Sequence, residues 1–98
     1  MKQERPLNII YFVCHDLGKE LGCYGRPIRT PSIDAFAAEG ARFTNAFCAS
    51  PACSPSRNCA YTGLHAHTHG GMGLAHCGWS LDESVRTVVD ELNDAGYE

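Results

Sequence analysis

Five consecutive residues, Cys53-Ser54-Pro55-Ser56-Arg57, combine a thiol, two hydroxyls, a proline and an arginine. Ser54 reads as a helix N-cap and Pro55 as the first helical position, with Gly63 closing the helix about two turns later. Cys53 then lies where unpaired backbone N–H groups and the helix dipole favour an anion or a thiolate. Arg57, one helical turn on, leans toward the same anion. Two readings stand: an oxyanion pocket for sulfate or phosphate with a reactive residue at its lip, or a capped helix start with a buried thiol.

A second group lies upstream. Asp16 follows directly on an apolar segment, residues 7–13 ("LNIIYFV"). If that segment is a strand of an open α/β sheet, Asp16 sits at the edge where ligands and metals collect. There it is either a hard oxygen ligand for calcium or magnesium or the cap of the following turn. His65, His67 and His69 alternate, so an extended backbone would set all three on one side as a metal site. In a loop they would instead face solvent or stand behind other ligands. His76 and Cys77, among glycines, take no assigned role, and Trp79 reads as a packing residue.

The elements needed to position these groups follow from pattern. Residues 7–13 are β-branched, aromatic and nearly continuous, as in a parallel strand covered on both faces. A glycine-punctuated loop follows. Thr30 as N-cap, Pro31 at the first helical position and Gly40 just past the end predict a helix, and residues 41–48 ("ARFTNAFC") predict a second strand. After the helix of the "CSPSR" stretch, residues 63–79 show no period. Ser80 with Glu83 predicts a capping box for a last helix, with Val85, Val88, Val89 and Leu92 as its apolar stripe and Gly96 as its stop. The order β-α-β-α-loop-α predicts an α/β sandwich. A strand such as 7–13 needs neighbours on both sides, so the chain reads as a piece of a larger domain.

Composition narrows the function classes. The 98 residues are 44% hydrophobic and 19% charged with a net charge of −3, and no basic run invites nucleic acid or an anionic membrane. The longest apolar run, "IIYFVC", is far short of the roughly 20 residues of a membrane span. No small-residue cleavage site follows the charged start, so the chain reads as cytoplasmic. Six cysteines without a CxxC pair read as reduced thiols, most of them small buried apolar residues.

The stretch "PACSPSRNCAYTG" resembles the sulfatase signature, in which C-x-P-S-R is recognised by a maturation enzyme that oxidises the cysteine to Cα-formylglycine. "PLNIIYFVCHDLGKELGCYG", "TPSIDAFAAEGARFTNAFC", "TGLHAHTHG" and "VRTVVDELNDAGYE" continue the resemblance over essentially the whole chain. The resemblance implies residues 1–98 as the amino-terminal part of a sulfatase catalytic domain. That domain would be an alkaline phosphatase-like α/β sandwich with a mostly parallel central sheet. It implies a sulfuric ester hydrolase acting on a sulfated carbohydrate or aryl sulfate. Cys53 would be the formylglycine precursor, whose hydrated aldehyde is the nucleophile. Arg57 would steady that group and its charge, and Asp16, His15 and residue 53 would bind a divalent ion, calcium before magnesium. The maturation enzyme is an implied partner. Three positions depart from the family pattern. His15 stands where the first of two aspartates is usual, removing one negative charge from the site. Ala60 and Tyr61 replace two bulky apolar residues, beside an added thiol at Cys59. Ala66 replaces the proline before the histidine matched by His67. A phosphonate monoester or phosphodiester hydrolase with the same nucleophile is the enzymatic alternative. A non-catalytic metal- or thiol-binding module is the alternative of another class.

Overall fold

The computed structural model describes residues 7–98. Their regular elements are four helices, α1 Pro31–Glu39, α2 Cys53–Thr62, α3 Ala66–His69 and α4 Val88–Asp94, with 3-10 turns at Gly22–Tyr24 and Ala75–Cys77. Among the described residues none is in a strand. The strands expected at 7–13 and 41–48 therefore form no ladder, and the central sheet is not assembled by these residues. The physical reason is partnership, because a strand exists only through hydrogen bonds to a neighbour. Ile10, Phe12 and Phe47 are 90%, 82% and 91% exposed, which is apolar surface without a cover. Nor does any helix among the described residues have the length and apolar character to cross a membrane.

α1 starts as expected, with Thr30 at the N-cap and Pro31 in the first turn. The Thr30 side chain does not cap the helix backbone, however. Its hydroxyl accepts from Gly22 N–H at 2.9 Å and donates to Asp34 Oδ1 at 2.9 Å, and the same carboxylate oxygen accepts from Cys23 N–H at 2.6 Å. This clamp needs a glycine at 22, where an added Cβ would come within 2.5 Å of Asp34 Oδ2. Tyr24 Oη donates to Phe43 O at 3.0 Å and Lys19 Nζ to Thr44 O at 3.2 Å, so the loop after Asp16 is laced to the segment entering α2.

α2 begins two residues earlier than its serine-proline signal predicts. Ala52 is at the N-cap and Cys53 is the first helical residue. Pro55 is tolerated because the first four N–H groups of a helix have no internal partner, so its missing donor costs nothing at the third position either. Gly63 ends α2 in the left-handed conformation, φ +70°, with its N–H on Cys59 O at 2.9 Å. The 63–79 stretch holds α3 and the second 3-10 turn. Trp79 packs where a Cβ on residue 73 would stand, so Gly73 admits the indole.

The last helix is shorter than expected. The capping box is Thr87 with Asp90, not Ser80 with Glu83. Asp82 Oδ1 accepts from Ser84 N–H at 2.9 Å and from Ser84 Oγ at 2.6 Å. That local turn competes with helix formation over 80–86. Val85 thus precedes α4, while Val89 and Leu92 line a gap of about 200 Å3 with Ile9 and Tyr11.

Candidate active site

A cleft of about 450 Å3 separates the 13–18 segment from the start of α2. Its walls include Cys14, His15 and Asp16 on one side and Cys48, Cys53 and Arg57 on the other. His15, Asp16, Cys53 and Arg57 thus meet on one cavity although 37 positions separate Asp16 from Cys53. Between the two walls in sequence, Lys19 and Tyr24 tie their loop to Thr44 and Phe43.

Asp16 has φ +51°, the described chain's one non-glycine residue with positive φ. Aspartate tolerates this left-handed conformation better than most residues because its short polar side chain can bond locally. His15 Nε2 lies 3.5 Å from Asp16 Oδ2, both side chains being largely exposed, and the contact is ionic only when the imidazole is protonated. Cys53 and Arg57 are half-buried. They are four residues apart on α2, hence about 40° apart around its axis, and share a face. No salt bridge among the described residues involves Arg57. The first-turn N–H groups of Cys53 and Ser54 add positive potential at the same end. The arrangement therefore offers a guanidinium and a helix start to an anion, opposite a carboxylate and an imidazole suited to a cation.

Asp16 is a hard oxygen donor and His15 a nitrogen donor, and both fit a divalent ion as part of its shell. Calcium takes six to eight oxygen ligands, and no group of three or more His, Cys, Asp or Glu side chains among the described residues is placed to hold an ion. These residues fit a partial ligand set.

The histidine row behaves differently from its expected metal geometry. Residues 66–69 turn as a helix, so the alternation no longer puts three rings on one side. His65 and His67 stack with centroids 5.7 Å apart, while His69 is fully buried. All six cysteines are free thiols, as expected. The expectation that most are buried fails. Only Cys59 is buried, Cys23 and Cys53 are half-buried, and Cys14, Cys48 and Cys77 are exposed, because so little of this chain is covered. Sequence reasoning missed two features. Cys14 and Cys48 belong to the cleft, and their closeness in sequence to Asp16 and Cys53 was the available signal. The contact of Cys59 with His69 had no signal in spacing.

The family model described as Sulfatase matches residues 7–98. The chain is 39% identical over 94 residues to an N-acetylgalactosamine-6-O-sulfatase of Bacteroides thetaiotaomicron, covering 92% of this chain and 18% of that protein. It is 46% identical over 100 residues to arylsulfatase D of Homo sapiens, covering 92% and 17%, and 42% identical over 96 residues to human N-sulphoglucosamine sulphohydrolase, covering 94% and 19%. The chain spans about a fifth of the length of these relatives. No solved structure matches it.

Proposed function

The chain belongs to the sulfatase family, and from that premise we propose that its parent protein hydrolyses sulfuric esters at the cleft between Asp16 and Cys53. The observation that carries the reading is the meeting of His15, Asp16, Cys53 and Arg57 on one cavity. In this reading the chain forms the amino-terminal part of an alkaline phosphatase-like catalytic domain, and residues 7–13 and 41–48 join its mostly parallel central sheet.

Arg57 binds sulfate oxygens through a planar fork of N–H donors matched to an oxyanion. The free N–H groups at the start of α2 add donors aimed at the same charge. Residue 53, half-buried on the face that carries Arg57, supplies the attacking group in this reading. Asp16 holds a divalent cation and His15 contributes a neutral nitrogen, so this wall carries one negative charge instead of two. Calcium is the proposed ion, with magnesium the alternative. When present, the cation would offset charge on the ester oxygens, and conversion of Cys53 to formylglycine would give residue 53 an oxygen nucleophile. That conversion requires a formylglycine-generating partner enzyme acting on the C-x-P-S-R stretch. The N-acetylgalactosamine-6-O-sulfatase and arylsulfatase names of the relatives favour a sulfated carbohydrate or an aryl sulfate as substrate.

The test is mass spectrometry of the Cys53 peptide from the full-length protein co-expressed with a maturation enzyme, with parallel assays on an aryl sulfate and an aryl phosphodiester. The expected result is the aldehyde at residue 53 and turnover of the sulfate. An intact thiol would overturn the nucleophile assignment. Preference for the phosphodiester would move the activity to phosphorus.

A further inference from the structure

The most enclosed polar group of the described chain plays no part in that chemistry. His69 is fully buried. Its Nδ1 accepts from Gly71 N–H at 3.2 Å, and its Nε2 lies 3.4 Å from Cys59 Sγ. A ring nitrogen that accepts a backbone N–H carries no proton. The bond to Gly71 therefore sets the neutral tautomer with hydrogen on Nε2, which donates to the sulfur.

The surroundings hold this ring from several sides. Asp82 N–H donates to His69 O at 3.0 Å, tying the 80–84 turn to α3. Gly71 lies so close to α2 that an added Cβ would come within 2.6 Å of Asn58 Nδ2. Two consecutive α2 residues, Asn58 and Cys59, are thus gripped by the 69–71 segment.

Helix geometry connects this grip to the cleft. Cys59 lies two residues beyond Arg57, so the two side chains leave α2 about 160° apart, on nearly opposite faces. Cys53 shares the Arg57 face. Fixing Cys59 against His69 therefore fixes the rotation of α2 about its axis, and with it the direction in which residue 53 and Arg57 meet the cleft. We propose that His69 is a positioning residue for the sulfatase site, acting through its Nε2–H contact with Cys59 to set the rotation of α2. The inference rests on the proposed function, and its effect on residue 53 can be read without turnover.

The experiment uses the full-length parent protein, prepared both with residue 53 unconverted and with it converted by a maturation enzyme. His69→Phe keeps ring volume and removes both hydrogen bonds, while His69→Gln keeps an N–H donor for Cys59. Cys59→Ser keeps the acceptor and Cys59→Val removes it, which supplies a milder disruption should His69→Phe fail to fold. In unconverted protein, the alkylation rate of Cys53 by iodoacetamide reports the presentation of the first turn of α2. In converted protein, kcat on an aryl sulfate is expressed per aldehyde-bearing site. His69→Phe and Cys59→Val should change the alkylation rate several-fold and lower kcat per site about tenfold or more, a sub-ångström misplacement being enough. His69→Gln and Cys59→Ser should stay near wild type in both. If the disrupting variants only lower the melting temperature, with Cys53 alkylation and kcat per site unchanged, His69 is a core residue and the proposal falls. If alkylation shifts as expected while wild-type protein cleaves no sulfate ester, the activity reading fails and the positioning of residue 53 by His69 stands.

Discussion

Asp16 shows how one residue meets two demands. It lines the cleft with a carboxylate, a hard donor, and its backbone occupies the left-handed region at φ +51°. Asparagine satisfies the second demand but brings only a neutral oxygen to the first. Asp16→Asn should therefore leave stability near wild type while reducing bound calcium, measured by metal analysis of the purified full-length protein. Asp16→Val should cost about 1–2 kcal/mol in urea denaturation, because a β-branched side chain collides with the backbone in that region. Equal loss of stability in both variants would remove the conformational half of this account. His15 and Asp16 were both readable as candidates from their place after an apolar segment. The left-handed backbone at Gly18, φ +57°, is what a glycine suggests, but nothing in "CHDLG" says that Asp16 takes a positive φ as well.

At the scale of elements, the end signals of helices were read well and the starts less so. Gly63 and Gly96 both adopt positive φ at or just past helix ends, where left-handed backbone is needed and glycine supplies it without a Cβ collision. Starts were ambiguous because more than one nearby residue could cap. Ser80, Asp82 and Thr87 all qualify, and the turn closed by Asp82 and Ser84 decides for Thr87. Asp82 is itself held below the usual carboxylate range, first by the Ser84 hydroxyl and then by the Ser84 N–H. Thr87→Ala should cost about 1 kcal/mol through loss of the cap, read as a lowered urea midpoint of the full-length protein. Acid should act on the same box. The Thr87 backbone N–H, and after it the Thr87 hydroxyl, holds the Asp90 carboxyl below its ordinary value. A depressed folded-state value means that the unfolded chain binds the proton first as pH falls. This contribution is therefore complete above the ordinary carboxylate range and is lost as pH drops through the depressed folded value. Helicity measured by circular dichroism should fall over that window in wild type, and Asp90→Asn should flatten the fall. Arg86 adds to the same region, where hydrogen bonds to Glu91 and then Asp94 push its guanidinium further toward the charged form.

For the whole molecule, surface is the governing quantity. The described chain extends 47 × 41 × 21 Å with a radius of gyration of 16.8 Å, against about 13 Å for a closed domain of 100 residues. Among the described residues Pro55, Cys59, His69 and Gly71 are the buried ones, far too few to offset the conformational entropy of ordering the chain. The isolated 98-residue polypeptide should therefore bind a hydrophobic dye such as ANS and melt without a cooperative transition, followed by circular dichroism. A sharp, dye-free melt would show that these residues close a core of their own. What the sequence determined by itself was local: which residue types stand as candidates for chemistry, where helices stop, and which segments favour strands, since capping, turn chemistry and hydrophobic patterning act over a few neighbours. Only tertiary structure decided that residues 13–18 and the start of α2 share one cleft, that the third histidine of the alternating row is buried against Cys59, and that the strand-prone segments lie open. Each of these depends on what approaches from a distance along the chain. A strand, a cleft and a buried imidazole exist only through partners that no short stretch of sequence contains.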